Sequence, residues 1–138
     1  MRPPGDKSIT HRALVLGALG EGRTELTGAL TSMDARSMAR VLRQLGVRVS
    51  ALRPGARVVV QGRGLGGLRR PRAVLDCGNS GTSARFMLGT LAGFPFAARI
   101  TGDASLRRRP MRRVTAPLAQ MGARFEEQNG DGLPLVVH

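Results

Sequence analysis

Apolar positions recur at helical spacing in some stretches of the chain and alternate over short runs in others. Met38, Val41, Leu42 and Leu45 fall on one stripe, Asp34 stands where an N-cap belongs and Gly46 where a C-terminal cap belongs. The pattern predicts an amphipathic helix with one wet face. Met111, Val114, Leu118 and Met121 make a second stripe, with Pro110 near its first turn and Gly122 at its end, and Pro117 inside it predicts a kink. Residues 13–19 and 86–91 are apolar nearly all round, and such helices expect burial on every side. Short runs predict strands over residues 23–26, 47–51 and 57–61, then over 73–76, 99–101, 123–127 and 133–137. The class is α/β.

The elements repeat. RALVLGAL at residues 12–19 parallels RFMLGTL at 85–91, and Leu26-Thr27-Gly28 parallels Ile100-Thr101-Gly102. Arg43-Gln44-Leu45-Gly46-Val47-Arg48 parallels Ala119-Gln120-Met121-Gly122-Ala123-Arg124, and Val58-Val59-Val60 parallels Leu135-Val136-Val137. The order is kept while the offset drifts from about 72 to about 77 residues, as short loop insertions between two copies of one supersecondary unit would produce. One unit spans about residues 8–63 and the other about 73–138. Two all-round apolar helices need layers on several sides, more than two units supply, so the pattern predicts an incomplete domain.

Composition adds charge to this picture. The chain has 138 residues and a formal net charge of +13, with four Phe and neither Tyr nor Trp. Basic residues that neutralise phosphates are the footprint of nucleic-acid binding, but here they are scattered and no aromatic side chains interleave on which bases would stack. Every basic residue except Lys7 is Arg, so the lysine, a compact and rotatable point charge, is a marked choice. One cysteine, Cys77, forms no internal disulfide and reads as a small buried hydrophobe, which fits a reduced cytosolic setting. No apolar stretch is long enough to span a bilayer and no signal-peptide pattern is present, so a soluble chain is expected.

Three polar clusters sit where helices start or loops turn. Pro4-Gly5-Asp6-Lys7-Ser8-Ile9-Thr10-His11-Arg12 puts a glycine turn and cations ahead of an apolar helix, a ready anion site because unpaired amides and the helix dipole favour negative charge. It lacks P-loop spacing. Asp76-Cys77-Gly78-Asn79-Ser80-Gly81-Thr82-Ser83-Ala84-Arg85 occupies the same place in the second unit, with Gly78 and Gly81 allowing close approach to the backbone. Arg107, Arg108, Arg109, Arg112 and Arg113 surround Pro110 and repel one another, a cost that an anionic ligand relieves. Capped helices and solvated arginines would account for all three without a ligand. No acid and base pair of carboxylates stands out, no metal-ligand spacing occurs, and neither His11 nor His138 has a recognisable partner.

Taken in order, GDKSITHR at residues 5–12, LDCGNSGTSAR at 75–85, TGDASLRRRPMRR at 101–113 and LAQMGA at 118–123 closely resemble the 5-enolpyruvylshikimate-3-phosphate synthase family. The resemblance covers almost the whole chain. It implies transfer of the enolpyruvyl group of phosphoenolpyruvate to the 5-hydroxyl of shikimate 3-phosphate with release of phosphate, by a cytoplasmic monomer that uses no metal or organic cofactor. It also implies two domains, each of three βαβαββ units around buried helices, of which the repeat matches two. By motif, Lys7 looks like the catalytic lysine lying between both substrates, with Ser8 and Arg12 on shikimate 3-phosphate. Asn79 and Gly81 look like the loop that meets phosphoenolpyruvate, and Arg109 looks like its anion clamp. Together these side chains are expected to gather at the mouths of the two apolar helices.

Other features of the family have no counterpart here: a third unit of this domain, and the opposite C-terminal domain with the carboxylates for proton transfer. Two other families of function compete with this resemblance. A UDP-N-acetylglucosamine enolpyruvyl transferase usually has Lys-Asn where this chain has Lys7-Ser8 and lacks the Ile-Thr-His-Arg that follows. A small basic nucleic-acid-binding module would show steep salt dependence on duplex. Because the family's catalysis needs two domains to close around the substrates, the 138 residues alone are expected to bind poorly and not to turn over. A phosphate-release assay with both substrates is expected to stay at background, and release above background contradicts the expectation.

Overall fold

Asp6 starts the first helix by accepting the Ile9 N–H at 2.7 Å, and the fold is built outward from such local stops and starts. The computed structural model describes residues 5–138, so that Pro4, which opens the first polar cluster, lies outside them. Its contacts divide the chain into two units, Met1–Arg69 and Arg70–His138, each with its own sheet and core.

In the first unit α1 (Lys7–Leu19), β1 (Arg23–Leu26), α2 (Met33–Gln44), β2 (Arg48–Val49) and β3 (Val58–Gln61) follow in order. The sheet is antiparallel with β3 central, Arg23 opposite Gln61, Leu26 opposite Val58 and Val49 opposite Val60. Leu14 and Ala18 of α1, Met38, Val41 and Leu42 of α2, then Leu45, Val58 and Val60 are fully buried. Two expectations are corrected. The N-cap of α2 is Ser32, whose Oγ accepts the Ala35 N–H, and Asp34 lies within the first turn, where its charge complements the helix dipole without capping it. Nor is α1 buried all round. It packs on α2, β1 and β3 through the Leu14 and Ala18 side, leaving Ile9 and Leu16, seven residues apart on the opposite stripe, exposed.

The second unit runs β4 (Leu75–Asp76), α3 (Gly81–Leu91), β5 (Ala98–Thr101), α4 (Ala104–Arg107), α5 (Arg112–Gln120), β6 (Phe125–Glu127) and β7 (Leu135–Val137). Its sheet order is β4-β5-β7-β6, with β4 parallel to β5 across the α3 crossover and the other pairs antiparallel. Leu75, Met87, Leu88, Leu91, Ile100, Leu106, Met111 and Leu133 form the core. The helix α3 begins five residues before the apolar run because Ser80 caps it, its Oγ accepting the Ser83 N–H at 3.2 Å. The one-turn helix α4 was not legible in the pattern. The α5 stripe is also corrected. Met111 is buried just ahead of the helix and Thr115 within it, while Met121 is exposed past its end. The helix continues through Pro117, which has no N–H to give the carbonyl one turn back. Asp131, distant in sequence, replaces a local cap for α5: its Oδ1 accepts the Arg112 N–H at 2.6 Å and the Met111 N–H at 3.1 Å.

The repeat is visible in the pairings. The strand order β1-β3-β2 recurs as β5-β7-β6, each in antiparallel sense and each after a helix with an apolar stripe. The helices α2 and α5 stop the same way. Gly46 and Gly122 take φ of +88° and +100°, and the N–H groups of Val47 and Ala123 reach back to the carbonyls of Leu42 and Leu118 at 3.0 Å. The family of this architecture is α/β with repeated units. No helix among the described residues is long and apolar enough to cross a membrane.

Leu42→Ala, at a fully buried position, is expected to cost about 2–5 kcal/mol of stability. Leu16→Ala, at a position 67% exposed, is expected to change it by about 0.5 kcal/mol or less. Urea unfolding of both variants measures the contrast.

Candidate functional site

In the first unit the glycine turn ahead of α1 is fixed by close approach. A Cβ on Gly5 would stand 2.3 Å from the Gly28 carbonyl oxygen and 2.6 Å from the Leu30 nitrogen, so a side chain there collides with backbone. Thr10 holds the same loop from within α1, its Oγ1 accepting the Leu30 N–H at 3.0 Å. The first-turn amides of Lys7 and Ser8 lie outside the i→i−4 ladder and so remain as donors at the positive end of the helix dipole. Lys7, Ser8 and Arg12 all sit on the exposed side of these first turns. The Lys7 ammonium is paired with the Asp34 carboxylate at the first turn of α2, with the lysine side chain half exposed. His11 is fully buried, and its Nδ1 lies 2.8 Å from the Lys7 carbonyl oxygen, which only accepts, so Nδ1 carries the proton.

The second unit builds a denser cluster. Asp76 Oδ1 accepts the Gly78 N–H at 2.8 Å, and Gly78 turns with φ of +58°. The Asp103 N–H then donates to the Gly78 carbonyl at 2.9 Å. A Cβ on Gly102 would lie 2.6 Å from that carbonyl, so only glycine lets the β4–α3 loop and the β5–α4 loop lock together. Asn79 bridges them with its side chain. Its Nδ2 donates to Asp103 Oδ2 at 2.7 Å, and its Oδ1 accepts from Arg109 Nη2 at 2.7 Å. Gly81 opens α3 directly beneath the arginines: a Cβ there would stand 2.8 Å from Arg85 Nη1 and 3.2 Å from Arg109 Nη1. Thus Asn79, Gly81 and Arg109 come together in one place, with guanidinium groups over the N-terminal amides of α3.

The electrostatics there favour an anion. Partial burial and the neighbouring Arg113 and Arg109 push the Arg85 guanidinium below its ordinary pKa, a sign that positive charge is crowded. Arg85 Nη2 donates to the Pro110 carbonyl at 3.1 Å, while its Nε is buried with no hydrogen-bond partner among the described residues. Asp103 is held below the usual carboxylate range, first by the Leu106 N–H and next by the Asn79 amide. Its charge therefore persists through the ordinary Asp titration range and is lost only as pH falls through the lowered value.

Several of these residues were missed from sequence. The sequence pattern marks Asp34 as a cap and not as the partner of Lys7, and assigns Asp103 and Arg85 no role. His11 and His138 have no partner recognisable in the sequence; in the fold His11 Nδ1 meets the Lys7 carbonyl, and His138 Nε2 lies 2.8 Å from Glu126 Oε1. The usable signal is Asp103 standing three residues before Leu106, the spacing of an N-cap, inside the motif at residues 101–113.

The comparisons with known proteins agree on one group. The family model described as EPSP synthase (3-phosphoshikimate 1-carboxyvinyltransferase) matches residues 1–138. The 3-phosphoshikimate 1-carboxyvinyltransferase of Halorhodospira halophila is 54% identical over 137 residues, which are 99% of this chain and 31% of that protein. The protein of the same name from Geobacillus kaustophilus is 54% identical over 127 residues, 92% of this chain and 29% of its own length. Among solved structures, EPSP synthase from Acinetobacter baumannii superposes with a TM-score of 0.94 at 39% identity, covering 99% of this chain and 31% of that one. The chain thus spans about a third of the length of the relatives it matches.

Because the atoms that meet an added Cβ at Gly81 are the far ends of two arginines, Gly81→Ala is expected to leave the thermal midpoint unchanged or slightly raised. The same variant is expected to move the side-chain NMR signals of Arg85 and Arg109 and to weaken binding of inorganic phosphate at this cluster.

Proposed function

The chain belongs to the EPSP synthase family, and on that premise we propose that it carries substrate-gripping residues of a 3-phosphoshikimate 1-carboxyvinyltransferase. In this reading Lys7, Ser8 and Arg12 of the first unit hold shikimate 3-phosphate, while Asn79, Gly81 and Arg109 of the second hold phosphoenolpyruvate. The observation that carries it is the second-unit cluster, where the guanidinium tips of Arg85 and Arg109 converge on the start of α3 at a glycine whose missing side chain lets them approach.

The chemistry fits the ligands. Both substrates are phosphorylated, and phosphoenolpyruvate has a carboxylate as well, so binding them side by side brings like charges together. Guanidinium forks, helix-start amides and the Lys7 ammonium offset that repulsion and hold the reactants in a near-attack geometry. The 5-hydroxyl of shikimate 3-phosphate gives up its proton as its oxygen bonds to C2 of phosphoenolpyruvate, and the C2–C3 double bond opens as C3 takes up a proton. The tetrahedral adduct then loses phosphate from C2 and a proton from C3, which restores the double bond. Lys7 is the catalytic residue in this scheme: its ammonium balances negative charge on the adduct and the departing phosphate. The pair with Asp34 keeps that ammonium at the start of α1 until an anion takes it over. The opposite domain of the enzyme supplies the proton-transfer carboxylates, and the working form is a cytoplasmic monomer.

The test is a chimera in which these 138 residues replace the matching segment of the Halorhodospira halophila protein. The chimera is expected to form product from both substrates. Lys7→Met in it is expected to remove nearly all activity, and a loss of kcat/KM smaller than about tenfold, roughly 1.4 kcal/mol, shows that the lysine has another role.

A further inference from the structure

An arginine that grips an anion has to be aimed without being neutralised, and the second unit contains a device that does this. Asp103 binds with both carboxylate oxygens: Oδ1 accepts the Leu106 N–H at 2.7 Å and Oδ2 accepts Asn79 Nδ2 at 2.7 Å. Asn79 in turn offers its Oδ1 to Arg109 Nη2 at 2.7 Å. A side-chain amide is usually ambiguous in orientation, but this one lies between a carboxylate that only accepts and a guanidinium that only donates. Only one orientation satisfies both.

We propose that Asp103 is a positioning residue that aims Arg109 through the Asn79 amide. A carboxylate paired directly with Arg109 would occupy the two-pronged face that a phosphate or carboxylate ligand needs. The amide relay engages one N–H and leaves the other donors of the fork for the ligand. Asp103 also acts along the backbone, since its cap shapes α4 and the turn in which the Arg109 N–H bonds the Leu106 carbonyl at 3.0 Å. The two routes are separable because a serine caps a helix equally well and has no second oxygen for Asn79. The inference rests on the reading of Arg109 as an anion grip only for its consequence in binding. The aiming itself is observable without any ligand.

The test uses the 138-residue chain with Asp103→Ser and Asp103→Asn. Each retains a capping oxygen, so the thermal midpoint is expected to stay close to that of the unaltered chain. In Asp103→Asn the group replacing Oδ2 is a donor facing the donor of Asn79, so that amide turns over or withdraws. The NMR signals of the Asn79 side-chain amide and the Arg109 guanidinium are expected to shift in both variants, and the dissociation constant for inorganic phosphate to rise tenfold or more. Unshifted Asn79 and Arg109 signals overturn the inference. So does unchanged phosphate affinity in Asp103→Ser where Arg109→Lys weakens it. If Arg109→Lys has no effect on phosphate while the Asp103 variants still shift the Arg109 signals, the anion-grip reading fails and the positioning role stands.

Discussion

Placing several guanidinium groups within a few ångströms of one another is unfavourable unless something holds them and something else needs them. In the second unit the holding is done by neutral and backbone groups. Arg85 leans on the Pro110 carbonyl, and Arg109 leans on the Asn79 amide, which is itself anchored by a carboxylate at one remove. The positive field is therefore oriented rather than cancelled. In the first unit the Lys7 ammonium is held differently, by a direct pair to Asp34. One cation is held through an amide and the other by a counter-charge.

Glycines determine where these cations stand. Gly5 and Gly102 are required by backbone approaching within 2.3 Å and 2.6 Å of where a Cβ would lie, so they fix the loops that lead into or alongside the functional turns. Gly81 differs, since what a Cβ would meet is the tips of two arginines. The first kind of glycine is needed for folding and the second for leaving space. Motif glycines that look alike in sequence thus separate by what lies opposite them.

The two units also show how a repeated fold diverges at its ends. The strand pairings and the glycine stops of α2 and α5 are alike, because each depends on a stripe of apolar residues and one residue with positive φ. The starts of those helices differ. Ser32 caps α2 locally, whereas α5 relies on Asp131, brought from the loop before β7. Capping needs only an acceptor at the right place, and that acceptor is free to come from anywhere in the chain.

Local chemistry was sufficient to read the α/β class, the internal repeat, the glycine stops and the polar clusters, because periodicity, φ preference and charge are properties of neighbouring residues. Thus Gly46 and Gly122 were legible as caps, and Lys7, Asn79, Gly81 and Arg109 as motif residues. What the periodicity could not fix was which side of α1 would meet the core, so Leu16 was expected inside and lies exposed. Nor could it show that Asp34 would meet Lys7, or that Asp103 would meet Asn79 and through it Arg109. Those pairings join residues on different elements, and only the sheet register and the locked loops bring them within hydrogen-bond reach. Sequence determined which groups were available for anion chemistry; tertiary structure decided which of them are aimed, and by what.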